Sequence, residues 1–174
     1  MENGLRAIDA LPQIKITMKK LTITQAKPNP SGKDRLGSVV PSSQLAGEWV
    51  DFKNTGNESY SLDNIKLHHV AYTRQYPDGV WEEVMGFFGN LSTGEVVRVH
   101  SGGGIPLNTL LPDDFIGADY HLFTGDNYIW NNDKSDSPRL ILKQNGQTLE
   151  IDKTSYSAYP TEGKILRRVG NQLV

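Results

Sequence analysis

The amino-acid sequence predicts an all-β sandwich, and three observations carry that expectation. Two alternating apolar-polar runs flank an Asn145-Gly146 dipeptide. Other short runs of period two recur along the chain between clusters of Gly, Pro, Asn and Asp. No stretch keeps helical apolar spacing over three turns.

The first run spans 14–23. Its apolar phase passes from Ile14, Ile16 and Met18 to Leu21 and Ile23, so one extra residue sits at Lys19-Lys20. A slip of one residue would turn the strand over, which predicts a bulge or a break there. A second run covers 48–53. Runs 67–76 and 80–88 flank Pro77-Asp78-Gly79, where Pro presets φ and Gly accepts a left-handed position; a long hairpin is expected. Two more runs follow at 94–100 and 119–123. Between them, 107–116 has room for one short helical turn, since Pro112-Asp113-Asp114 has the chemistry of a helix start. The last hairpin joins 139–143 to 148–152. Both central residues of a type I′ turn need positive φ, which Asn145 and Gly146 adopt cheaply. Leu140, Leu142, Leu149 and Ile151 alternate with polar residues and predict one buried face. Connectors at 27–30, 54–57, 101–104 and 131–138 are rich in turn formers.

A chain of 174 residues can bury a substantial core within one domain. Its formal net charge of -2 offers no overall basic field for nucleic acid. With no cysteine, a disulfide framework and cysteine-ligated zinc are both excluded, and the redox compartment stays open. No apolar run reaches the length of a membrane-spanning helix. Residues 1–12 lack a continuous apolar signal core, so no leader is visible and the localisation is left unknown.

Three separated stretches resemble the lamin tail domain family of bacterial type. The first is Leu21-Thr22-Ile23-Thr24 followed by the loop Pro28-Asn29-Pro30-Ser31-Gly32-Lys33-Asp34. The second is Glu48-Trp49-Val50-Asp51-Phe52-Lys53-Asn54-Thr55-Gly56, similar to the family's strand and turn E-x-V-x-I-x-N-x-G. The third pairs Gly94-Glu95-Val96-Val97-Arg98-Val99-His100-Ser101-Gly102 with Trp130-Asn131-Asn132. The resemblance implies an immunoglobulin-like β-sandwich over 21–157, with 1–20 as an N-terminal extension and 158–174 as a C-terminal extension that holds a possible edge strand. It also implies a binding module without catalytic residues. Two departures stand out: Ile65 where the family usually has Trp, and a region 68–90 longer than the usual connection.

The candidate chemistry is sparse. His68 and His69 are adjacent and point to opposite faces of a strand, whereas His100 and His121 sit at strand ends and have the chance to meet. No Ser or Thr lies in a nucleophile elbow, and Ser101-Gly102-Gly103-Gly104 follows a strand without opening a helix. Acidic residues Asp113, Asp114, Asp119, Asp126, Asp133 and Asp136 raise calcium as a candidate near 131–136, without the glycine and terminal Glu of an EF-hand. The expected contact surface is instead the aromatic set of the long hairpin: Tyr72, Tyr76, Trp81, Phe87 and Phe88, with the cation Arg74. The functional expectation is therefore a non-enzymatic interaction module with no cofactor, no metal and no catalytic set. Its expected partner is a protein or cell-envelope component. The alternatives are a nucleic-acid-binding accessory domain and, third, a small metal-dependent hydrolase built on His100 or His121.

Overall fold

The computed structural model describes residues 17–32, 34–125 and 127–174. In chain order its elements are β1 (Leu21–Lys27), α1 (Ser42–Ala46), β2 (Trp49–Asn54), β3 (Tyr60–Ser61), β4 (Ile65–Ala71), β5 (Val80–Gly86), β6 (Asn90–Leu91), β7 (Val96–His100), α2 (Pro112–Phe115), β8 (Tyr120–Phe123), β9 (Arg139–Gln144), β10 (Gln147–Lys153), β11 (Leu166–Val169) and β12 (Gln172–Leu173), with a single 3-10 turn at Leu107–Thr109. The chain is an all-β sandwich. A six-stranded sheet, β12-β11-β1-β2-β7-β8, faces a four-stranded sheet, β10-β9-β4-β5, and β3 pairs with β6 as a small ribbon.

Alternate residues of each strand enter the space between the sheets, as the pleat requires. Leu21 and Ile23 of β1, Val50 and Phe52 of β2, and Val97 and Val99 of β7 meet Ile65 and Leu67 of β4 and Leu140 of β9. Each large apolar side chain so buried contributes about 1.5–3 kcal/mol. Strand β1 begins at Leu21, directly after Lys19-Lys20, and a separate irregularity lies at Thr24, where pairing jumps from Ile23↔Phe52 to Gln25↔Asp51. Residues 18–20 instead run beside the turn after β2: Thr55 N–H and Gly56 N–H donate to Lys20 C=O, and Asn57 N–H donates to Met18 C=O. Met18 is exposed there, outside the core. Ile14, Ile16, Lys33 and Asp126 lie outside the described residues.

The β9–β10 hairpin turns at Asn145 (φ 51°) and Gly146 (φ 74°), both left-handed as a type I′ turn demands. Leu140 is buried and Leu142 packs against the core, but Leu149 is 60% exposed. Strand β10 is the sheet's edge, so part of its inner face has nothing opposite. The long hairpin pairs Ala71 with Val80 as its last rung, and the Pro77-Asp78-Gly79 turn belongs to a wider loop, 72–79. Residues 166–173 are part of the main sheet: β11 lies between β1 and β12, and Leu166 and Leu173 join the core.

The outer face of the six-stranded sheet is also covered. Strand β8 runs parallel to β7, so residues 101–119 must cross over, and they lie on that face. Under them, Asp51 of β2 grips Arg98 of β7. The Arg98 guanidinium lies 3.6 Å from the Trp49 ring centroid and donates to the Asp113 and Ile116 carbonyls. Lys27 Nζ and Trp49 Nε1 both donate to Asp114 Oδ1, at 2.7 and 2.8 Å. Charged side chains that alternate with the core residues are thus buried by this crossover, and each is paired.

Candidate interaction surface

The two sheets differ in width, and that difference leaves an apolar cleft. Tyr120 and Leu122 of β8 stand opposite Val97 and Val99, on the inner face of the large sheet. The smaller sheet ends at β5 and does not cover them. The uncovered space is a cleft of about 400 Å³, walled by Met85, Phe87, Leu91, Val97, Tyr120 and Leu122, with Phe88 at its lip. Its lining is overwhelmingly apolar. Phe88 is 89% exposed, the most exposed large hydrophobic side chain among the described residues.

The six residues expected as one contact surface divide among three places. Tyr72, Arg74 and Tyr76 belong to the loop at the far end of the hairpin. There Tyr72 OH donates to Ser135 C=O at 3.0 Å, and Lys134 Nζ sits 4.4 Å from its ring. Trp81 lies on the outer face of the small sheet, with the Arg139 guanidinium 3.7 Å from its ring centroid. Phe88 opens onto the cleft. Phe87 is only 8% exposed and meets Phe52 edge-on at 5.0 Å, so it packs in the core and forms the cleft's floor. Phe87 and Phe88 follow the end of β5, and only Phe87 turns inward to the core.

Sequence reasoning missed Tyr120, Leu122 and Leu91 as cleft residues. The alternation of Tyr120 and Leu122 was a legible strand signal, but it does not say which strand will overhang its partner sheet, and Leu91 lay in no alternating run.

His68, His69 and His100 are buried and His121 is half-buried. His100 Nδ1–H donates to Ala46 C=O, so its Nε2 accepts from His121 Nδ1–H at 2.8 Å. The His100 ring stacks on Phe123, and that of His121 on Phe115. Burial, first of all, drives the His100 pKa down to about 3. His69 Nδ1 lies 3.1 Å from Asp136, whereas His68 is buried on the other face beneath the long side chains around it. Asp136, once a calcium candidate, is buried. Its oxygens accept from Val70 N–H, Ser137 N–H, Asn131 N–H and the Asn131 side chain. Among the described residues no three His, Asp or Glu side chains converge as metal ligands.

Beside this corner Glu48 is buried. Its Oε2 accepts from Ile129 N–H at 2.9 Å and from the Ser101 hydroxyl, and burial pushes its pKa up to about 8. The same interior holds Trp130 and Tyr156. Burial likewise drives the Tyr156 hydroxyl well above its ordinary range.

Comparison with known proteins is sparing. No family model matches the chain, and no curated protein matches it. Among solved structures, a β-glucosidase involved in saponin metabolism from intestinal bacteria is similar at 13% identity and a TM-score of 0.34. That alignment covers 82% of this chain and 16% of that one, so the chain spans about a sixth of the enzyme's length. No helix among the described residues is long and apolar enough to cross a membrane.

Proposed function

We propose that this chain is a non-catalytic interaction module that binds a protein or a cell-envelope component through the open side of the sandwich, where β5 and β8 lie. The reading is supported chiefly by the exposure of Phe88 on the lip of an apolar cleft. An exposed aromatic beside a ready pocket is the usual anchor of a recognition surface, and leaving it in water has a cost that a partner removes. The lamin-tail resemblance of 21–157 agrees with this reading, since that family is implicated in binding rather than catalysis.

The test compares host-extract proteins retained by the wild type and by Phe88→Asp, with thermal melting as the control. Loss of specific bands at an unchanged melting temperature supports the reading. Identical retention by both proteins overturns it.

A further inference from the structure

We infer that the cleft receives an extended segment of a partner protein, which pairs as a strand with the free edge over 85–88, the end of β5 and the two residues after it, and buries a large apolar side chain over Tyr120 and Leu122, next to a basic residue. This deepens the preceding reading and rests on it.

Edge strands normally carry devices against pairing with other chains, such as charges, bulges or proline. In β5 those devices end at Val84. Glu82 and Glu83 are exposed, and the register passes from His68↔Glu83 to Leu67↔Met85, which leaves Val84 as a bulge. Beyond that point Met85, Gly86, Phe87 and Phe88 carry no charge and no proline.

The backbone there is presented outward. Phe87 N–H donates to Ile65 C=O, so Gly86 stands opposite Lys66 as a non-hydrogen-bonded pair, with its own N–H and C=O pointing away from β4. Neither local geometry nor space demands glycine at that point. A Cβ on Gly86 would meet Lys66 Cγ at 3.9 Å and Glu83 Oε1 at 4.0 Å, both ordinary contacts. What glycine does provide is a bare edge that another backbone can approach closely.

A strand added beside β5 would widen the small sheet by one and lay its inward side chains over Tyr120 and Leu122. It would supply the cover that β8 lacks. The cleft's volume also falls within the ~300–1,000 Å³ range of small-molecule pockets. However, its walls offer almost no convergent polar groups to orient such a ligand, whereas the open backbone of β5 offers donors and acceptors in register.

Charge selects the occupant further. Asp63 accepts from Gly89 N–H, Glu95 from Ser92 N–H and Tyr120 OH, and Asp119 from Val96 N–H. Each is tied to the cleft's lining, Asp63 as the neighbour of Leu62, Asp119 as the neighbour of Tyr120 and Glu95 through Tyr120 OH, and none of them has an ion-pair partner among the described residues. Lys66, on the neighbouring strand, is committed to Glu83. The rim favours lysine or arginine next to the apolar anchor. It opposes pairing with a second copy, which would bring two acidic rims together.

The probe is a capped, fluorescein-labelled peptide of alternating lysine and isoleucine, titrated against the full chain by anisotropy. Two controls accompany it: the same peptide with glutamate for lysine, and one N-methylated on alternate amides along one edge. Saturable binding of the first is expected, weakened about tenfold or more in each control and in the Phe88→Asp and Gly86→Pro variants. Glu95→Gln, which keeps an acceptor for Ser92 N–H, is expected to weaken it less. Equal affinity for the N-methylated peptide overturns strand addition, and equal affinity for the acidic peptide overturns the basic preference. If the wild type ignores all three peptides while Phe88→Asp still loses host proteins, strand addition fails and the interaction module stands. If neither experiment separates wild type from variant, both fail. Concentration-dependent dimerisation that Phe88→Asp abolishes and the peptide does not compete with assigns the cleft to a second copy, and overturns the proposal.

Discussion

Arg98 and Asp51 stand directly opposite each other on β7 and β2, joined by Nε–Oδ1 and Nη2–Oδ2 hydrogen bonds of 2.7 and 2.8 Å, and neither side chain reaches solvent. Removing one partner leaves the other charge buried and alone. We expect Asp51→Ala to lower stability by about 3–5 kcal/mol in urea unfolding. Replacing both residues with apolar side chains of similar size should restore much of that loss. A double variant as unstable as the single one would show that the pair contributes more than mutual neutralisation.

The neighbours Phe87 and Phe88 should behave as opposites. Phe87→Ala removes a ring packed on Phe52 and is expected to cost about 3–5 kcal/mol. Phe88→Ala touches a side chain already in water and should stay within about 0.5 kcal/mol. Chemical denaturation of the two variants makes the comparison, and similar losses would place Phe88 in the core.

Stability should peak on the mildly acidic side of neutrality. Glu48 has a folded pKa of about 8 against an ordinary 4.5, so the stability tied to its neutral form is full below 4.5 and is lost as pH rises through 8. His100 has a folded pKa of about 3 against 6.5; its contribution is full above 6.5 and is lost as pH falls through 3. Between 4.5 and 6.5 one loss grows as the other shrinks, so their sum is at its smallest. Glu48→Gln keeps an oxygen for Ser101 and Ile129 but cannot ionise. Its melting temperature should therefore hold toward pH 8 while that of the wild type declines, a difference on the order of a few kcal/mol. Parallel melting curves against pH for the two proteins would refute this.

Gly146 sits at φ 74° with no atom near the position a Cβ would take, so its substitution tests conformation alone. Gly146→Ala should cost about 1 kcal/mol, a shift of a few degrees in melting temperature, with no change in the sheet order.

How far the sequence reads depends on the range of the interaction. The Asn145-Gly146 hairpin was legible because a type I′ turn is specified by two residues. The Pro112 helix start and the strands around Trp49, Val97 and Tyr120 were legible for similarly local reasons. The sandwich's second layer of burial was not. Asp51, Arg98 and Lys27 alternate with core residues and look solvent-facing, yet they are covered because the 101–119 crossover passes above them, and its path is set by distant contacts. The contact surface was half legible. An excess of aromatics marked the hairpin, but which of them meets water depends on the phase of β5 and on the relative widths of two sheets.

The placement of β11 beside β1 has a consequence for biosynthesis. The Gln25–Arg167 contact closes a span of 142 residues, and in folding so distant a pairing forms slowly. While the chain is being made, β1 can acquire β2 early but has nothing on its other side until residue 166 emerges. Until then the nascent sheet exposes the free edge of β1, and a chaperone that shields it would raise the yield of folded protein.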